Sequence, residues 1–232
     1  MTRYLIKICL YFFDQLSQKK ILIVLKKIFK KNIGYVIDVG AHQGETINFL
    51  VKNFKFNTIY AFEPNFENYQ ILKKRVNDIP KNIIILNKGV GLKNEKKVLF
   101  NSGDSSSSTY CDINYNSNYY KRKKFLFDLV ITKEKTQLLN LATFFKKKNI
   151  KKINYLKTDT EGYELDVIMG LYKYIKNIRI IHFEHHYDDM YKKKYTFADI
   201  DNYLTKNNFY MVFKLKMFFR KSFEYIYENK RY

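Results

Sequence analysis

The sequence predicts an α/β protein whose mostly parallel sheet is covered by helices on both faces. Two observations lead there. Short runs rich in Ile and Val alternate with helical stretches of 10–14 residues, the pattern of strands buried on both faces. Near the C-terminus, strand-like runs follow one another with no helix between them, which predicts an antiparallel edge. The length agrees, since 232 residues suit one core before a chain splits into domains.

In chain order, the first thirty residues carry apolar side chains near helical spacing, interrupted by Lys7, Asp14 and Lys19–Lys20. Two helices packed on the domain is the plain expectation, and an amphipathic helix lying on a membrane surface the sharper one. No uncharged apolar run reaches the ~18 residues of a membrane span, and Lys7 breaks any secretory signal. A helical extension over 1–31 therefore precedes a domain over 32–232. Strands are predicted at Tyr35–Val39, Asn57–Phe62, Asn82–Leu86, Val98–Asn101, Ile153–Thr158, Arg179–Glu184 and Phe209–Leu215, with a further one within Ser222–Tyr227. Helices are predicted at Glu45–Phe54, Phe66–Val76, Gln137–Lys148, Tyr163–Tyr174 and Phe197–Lys206. The stretch Asn101–Thr109, NSGDSSSST, reads as a flexible loop by composition.

Composition narrows the function. An apolar fraction of 46% excludes disorder for the bulk of the chain. Cys9 and Cys111 have no close spacing, which excludes a disulfide scaffold or a cysteine zinc site and predicts a reducing, cytoplasmic setting. The net charge of +21 comes from 37 Lys and only 6 Arg, in a chain also heavy in Asn, Ile, Tyr and Phe. Those residues share AT-rich codons, and phosphate grip usually leans on Arg forks. A solvated surface thus competes with an anionic partner such as nucleic acid, membrane or acidic glycan.

The chemistry concentrates at strand ends. In Ile37-Asp38-Val39-Gly40-Ala41-His42-Gln43-Gly44-Glu45 a strand ends in an acid, and two glycines then lead into a helix. Gly40 and Gly44 permit close approach of a ligand to backbone beside the N–H groups that open a helix. Glu63, in Ala61-Phe62-Glu63-Pro64, ends the second strand 25 residues after Asp38, where a doubly wound fold accepts hydrogen bonds from ribose hydroxyls. The same acid could simply favour a helix N-terminus. A dinucleotide turn wants Gly-x-Gly-x-x-Gly, which is absent. The carboxylate of Asp38 repels a pyrophosphate but suits a ligand with an ammonium or sulfonium group, as S-adenosylmethionine has.

Asp38-Val-Gly-Ala-His-Gln-Gly44, Phe62-Glu-Pro64 and Leu156-Lys-Thr-Asp-Thr-Glu-Gly-Tyr-Glu164 together resemble the FkbM-type methyltransferases, from about Gly34 to about His186. The resemblance implies a Rossmann-like class I methyltransferase fold with a seven-stranded sheet, S-adenosylmethionine as cofactor, and methylation of hydroxyl groups. It assigns Asp38, Gly40, Ala41, His42 and Gly44 to the loop around the methionine end, Glu63 to the ribose, and Asn87 with Gly89-Val90-Gly91 to the neighbourhood of the adenine. His42 stands where the family usually has Asn, and Asn140-Leu141-Ala142 where it commonly has Thr-Leu-Asp.

Asp159 and Glu161 follow the strand Ile153–Thr158, at the crevice where open sheets bind ligands. Either is a candidate base for a hydroxyl acceptor, and either could instead cap the next helix. In His182-Phe-Glu184-His185-His186, alternation sends His182 and Glu184 to one face, with His185 and His186 leaving into the loop. His185 joins the catalytic candidates, and the family pattern implies that Glu184 and His185 line the acceptor pocket. A metal site is disfavoured, because no ligand pair has helical spacing and no Cys takes part. Three functions remain in play. The leading one is an O-methyltransferase acting on a sugar, glycan or small metabolite; the others are an RNA ribose methyltransferase and a non-catalytic accessory protein.

Overall fold

A computed structural model describes residues 2–76, 82–103 and 107–232, with side chains from Cys9 onward. The elements run α1 (Thr2–Phe29), β1 (Asn32–Val39), α2 (Glu45–Asn53), β2 (Lys55–Phe62), α3 (Phe66–Val76), β3 (Ile83–Leu86) and β4 (Gly89–Gly91). Then follow β5 (Glu95–Asn101), β6 (Ser108–Thr109), α4 (Asn118–Phe127), β7 (Thr132–Asn140), α5 (Leu141–Lys148) and β8 (Ile153–Thr158). The chain closes with α6 (Glu164–Met169), a 3₁₀ segment Tyr172–Asn177, β9 (Ile178–His186), α7 (Phe197–Lys206), β10 (Phe209–Lys216) and β11 (Ser222–Asn229).

Seven strands form the main sheet in the order β10-β11-β9-β8-β1-β2-β3. β9, β8, β1, β2 and β3 pair in parallel, while β11 runs antiparallel to β9 and β10 to β11. This is the class I methyltransferase architecture the sequence predicts, antiparallel edge included. Each face carries a core. Val39, Leu156, Ile181 and Phe183 pack with α5, α6 and α7. On the other face Val36, Tyr155, Ile180 and Ile226 pack with Ile47 and Leu50 of α2, and with Ile21, Leu25 and Phe29 of α1.

Four departures from the sequence reading have physical reasons. The N-terminal stretch is one helix, because Lys19 and Lys20 lie on its exposed side, between buried Ser17 and Ile21, and so interrupt nothing. Residues 132–140, partly assigned to a helix, are strand β7 of a second sheet ordered β4-β7-β5-β6. There Asn140 ends the strand and caps α5, its Oδ1 accepting from the Thr143 N–H at 3.0 Å. The helix after Gly162 is short, since Gly170 passes the Gly91 carbonyl so closely that a Cβ there would lie 2.4 Å from it. Finally, β9 continues through His186, so His185 and His186 are strand residues and not loop residues. Of the serine-rich stretch, 104–106 lie outside the described residues. Its flanks are held: Ser102 Oγ donates to the Ser107 carbonyl at 2.7 Å, and Ser108–Thr109 pair with β5.

Candidate active site

The site gathers at the carboxyl ends of the parallel strands. β1 ends in a turn with three positive φ angles, 79° at Gly40, 49° at His42 and 96° at Gly44. The N–H groups of Gly40 and Ala41 both donate to the Phe62 carbonyl at 3.0 Å, which clamps the turn over β2. A Cβ on Gly40 would sit 2.0 Å from the Asp159 carbonyl oxygen, so the backbones beyond β1 and β8 touch and only glycine fits. His42 holds a left-handed conformation that Asn adopts more readily. Its Nδ1 lies 3.0 Å from Glu45 Oε2.

The turn and the end of β2 are tied through one carboxylate. Glu63 Oε2 accepts from the His42 N–H at 2.7 Å and Oε1 from the Asn65 N–H at 2.9 Å. Burial nevertheless pushes its carboxyl up to about 7. Asn87 donates its Nδ2 to the carbonyls of Glu63 and Pro64 at 3.0 and 3.1 Å. Its amide thus braces the Glu63 turn and does not line the cleft. That cleft, open to solvent, is walled by Gly40, His42, Glu63, Gly89, Val90 and Asp159, with Ser108 and Tyr110 entering from the second sheet. Asp38 lies beside it within β1, fully buried, and among the described residues neither of its carboxylate oxygens has a hydrogen-bond donor. Burial raises its carboxyl to about 7.

A row of charged side chains continues from the cleft across one face of the sheet. Register places Lys157 between Asp38 of β1 and His182 of β9. Lys157 Nζ donates to Asp159 Oδ2 at 2.9 Å. Against the burial that would lower it, Asp159, Glu224 and Asp38 hold the Lys157 amine charged well above its ordinary range. Beyond it, His182 bridges the Tyr155 hydroxyl at 2.5 Å and Glu224 at 2.9 Å. Glu184 follows on the same face with Oε1 buried and, among the described residues, without a hydrogen bond, and burial pushes its carboxyl up to about 8.

The three expected catalytic residues occupy different places. Asp159 lines the cleft. Glu161, at φ 53°, turns away into a buried pair with His186 Nε2 at 3.1 Å, while Asp188 takes the other ring nitrogen at 3.3 Å. Burial works against that ionisation, but His186 outweighs it and holds the Glu161 carboxyl down at about 2. His185 points to the opposite face among Tyr187, Tyr195 and Phe197. Burial, then Lys193 and His186, lower its ring to about 3, so it stays neutral.

Glu164 was not singled out from sequence, although an acid two residues after Gly162 at a helix start is a readable signal. Its Oε1 accepts from the N–H groups of Thr160 and Gly162, both at 3.1 Å, and from the Thr160 hydroxyl at 2.9 Å; its Oε2 accepts from the Tyr195 hydroxyl at 2.5 Å. It therefore closes the turn ahead of the helix, whose first N–H groups receive no side-chain cap from Asp159, Glu161 or Glu164. The second sheet locks the same turn from outside. Thr109 Oγ1 donates to the Glu161 carbonyl at 2.7 Å and Cys111 Sγ to the Gly162 carbonyl at 3.0 Å.

The family profile described as the methyltransferase FkbM domain matches residues 38–211. No curated protein matches the sequence significantly. Among solved structures, an FkbM methyltransferase from Methylobacillus flagellatus superposes with a TM-score of 0.55 at 16% identity, covering 83% of this chain and 43% of that one. The present chain thus spans less than half the length of that protein. The magnesium protoporphyrin IX methyltransferase of Synechocystis, with bound S-adenosylmethionine, gives 0.52 at 10% identity, over 94% and 80% of the two chains. M. capricolum TrmK, with S-adenosylhomocysteine, gives 0.51 at 13% identity, over 91% and 68%. At these identities the structures are alike in fold.

Proposed function

The chain belongs to the FkbM methyltransferase family, and on that premise we propose that it transfers a methyl group from S-adenosylmethionine to a hydroxyl group of a sugar, glycan or small metabolite. Residues 32–232 form the methyltransferase domain in this reading, and 1–31 a helical extension laid across it. The residues fit the cofactor. Gly40 and Gly89 have no room for a side chain, which leaves backbone where a nucleoside ligand needs close approach. The unsatisfied carboxylate of Asp38 suits the ammonium of the methionine end. Glu63, with one N–H already on each oxygen, keeps further lone pairs for the ribose hydroxyls. Bound S-adenosylmethionine supplies a methyl group on a positively charged sulfur.

The acceptor side is carried by one observation: Asp159 alone among Asp159, Glu161 and His185 lines the cleft that holds Gly40 and Glu63. Asp159 takes the acceptor's hydroxyl proton, while Lys157 on its Oδ2 fixes the carboxylate in place. A positioned base of this kind contributes on the order of 10²–10⁴-fold. Glu161 and His186 hold the shape of the turn from behind, and His185 packs against α7. The second sheet, through Ser108 and Tyr110, narrows the cleft.

Thermal unfolding with S-adenosylmethionine, S-adenosylhomocysteine and NAD in parallel tests the cofactor. A ligand at 100 times its dissociation constant adds about 2.7 kcal/mol, which for this length raises the midpoint by roughly 5–11 °C. Shifts with both adenosyl compounds and none with NAD are expected. A shift with NAD alone, or with none of the three, would overturn the proposal.

A further inference from the structure

One end of the molecule exposes aromatic side chains that the catalytic reading does not use. Phe219 is 77% exposed at the tip of the turn between β10 and β11, and Phe12 of α1 is 58% exposed. They belong to one cluster. Phe13 lies tilted against Phe218 with centroids 4.7 Å apart, meets Phe219 at 5.2 Å, and touches Phe12 at 5.7 Å. An ion pair of 2.8 Å between Arg220 and Asp14 fastens the turn to the helix beside them. Along α1, residues 12, 16, 19 and 23 share one side of the helix. Phe12 and Ile23, the latter 69% exposed, thus bracket Lys19 on an outward stripe.

The charge around this cluster has one sign. Residues 9–31 hold six basic side chains and a single acid, Asp14, which Arg220 neutralises. Residues 209–223 hold Lys214, Lys216, Arg220 and Lys221 and no acid at all. Lys20 Nζ lies 5.8 Å from the Phe218 ring, so basic groups border the aromatic patch directly. Exposed phenylalanines grouped in this way are costly in water and mark a contact surface.

We propose that this end, built from the outer side of α1 and the β10–β11 turn, seats on an anionic lipid bilayer. Phenylalanines insert among the acyl chains at the interface while the flanking lysines meet acidic head groups. Two copies of the same face would repel each other through their lysines. Nucleic acid would leave the aliphatic Ile23 without a partner. Among the described residues no helix is long and apolar enough to cross the membrane, so the contact is one of lying on the surface.

The chain contains no Trp, which makes F219W a single reporter at the centre of the patch. With phosphatidylcholine vesicles containing about one-third phosphatidylglycerol, its emission is expected to move to shorter wavelength. Pure phosphatidylcholine leaves it nearly unchanged. The double variant F12S/F219S should lose at least about tenfold in vesicle partition, and K19E/K20E a comparable factor that vanishes in high salt. Far-ultraviolet circular dichroism checks that each variant is folded. An F219W spectrum insensitive to anionic vesicles overturns the proposal. So does a spectral shift without lipid that follows protein concentration, or one produced by an RNA oligonucleotide in place of vesicles.

Discussion

Replacing Asp38 by Asn should move stability and cofactor affinity in opposite directions. The carboxylate is fully buried without a hydrogen-bond donor among the described residues, and its pKa is raised from 3.8 to about 7, chiefly by burial. Between those values the folded protein holds a proton that the unfolded chain has released, so stability falls as pH rises from about 4 to about 7 and is lowest above. At 1.36 kcal/mol per unit the cost at pH 8 is about 4 kcal/mol. The neutral amide removes that cost but keeps polar atoms without partners, which offsets about half of it. A gain of about 2 kcal/mol, or roughly 4–8 °C in midpoint at pH 8, follows, turning into a loss of about 2 kcal/mol at pH 4, where the natural carboxyl is protonated and its charge costs nothing. Binding of S-adenosylhomocysteine, which carries the same ammonium, should weaken by about 1.5–3 kcal/mol through the lost charge-assisted bond. In the natural protein binding should also release protons and tighten as pH rises from about 5 to 8. Glu63 titrates in the same range, so D38N removes one of two protons. Calorimetry in two buffers of different ionisation enthalpy counts them. A variant less stable at pH 8, or one with unchanged affinity and proton count, would refute the assignment of Asp38.

Glu63→Gln should cost on the order of tenfold to a hundredfold in S-adenosylhomocysteine affinity, at 1–3 kcal/mol for a bond to a charged partner, read by equilibrium dialysis; unchanged affinity removes Glu63 from the ribose site. Asp159→Asn should leave cofactor affinity within about threefold and lower turnover by about 10²-fold or more, measured as S-adenosylhomocysteine formation once an acceptor is found. Weak binding with normal turnover would reverse that role. Glu161→Gln strands a buried, charged His186 and should destabilise by about 3–5 kcal/mol at pH 7, with denaturant titration as the check. The pair's stability should be lost on one side as pH falls from 4.5 toward about 2, where Glu161 protonates. On the other side it should be lost as pH rises past the elevated His186 pKa. Gly40→Ala must open the contact with the Asp159 carbonyl while holding a positive φ, and should abolish the cofactor-induced thermal shift.

The main sheet was legible because its strands are short Ile- and Val-rich runs that end at Gly or an acid. β8, α3 and α7 lie at the residues the pattern predicts. The second sheet was not, for reasons of solvation. β7 carries Lys133, Glu134 and Lys135 in a strand with one wet side, and its continuous polar stretch joins α5 without a turn signal, since Asn140 both ends the strand and caps the helix. α4 has a weakly apolar sequence and is fixed from outside its own residues. Ser117 caps it, and Asp189, 72 residues away in sequence, orients the cap through a 2.6 Å bond.

The same distinction separates the legible part of the site from the rest. Asp38, Gly40, Glu63 and Asp159 could be picked out because each stands where a parallel strand gives out, and a parallel sheet sends all those ends to one edge. Which acid of Asp159-Thr160-Glu161 faces the cleft is decided differently. A left-handed residue at Glu161 turns its side chain away from that of Asp159, and the cation that receives it, His186, comes from the end of a strand 25 residues later. Spacing along one segment cannot encode a partner supplied by another. His185 shows the converse. Next to His186 in sequence, it belongs to the other face because a strand alternates, which the expectation that both histidines leave into a loop did not foresee. A one-residue shift of β9 against β11 would exchange the faces of Glu184 and His185. The Ser222–His186 and Glu224–Glu184 pairings between β11 and β9 therefore fix which of the two joins the buried row of charged side chains.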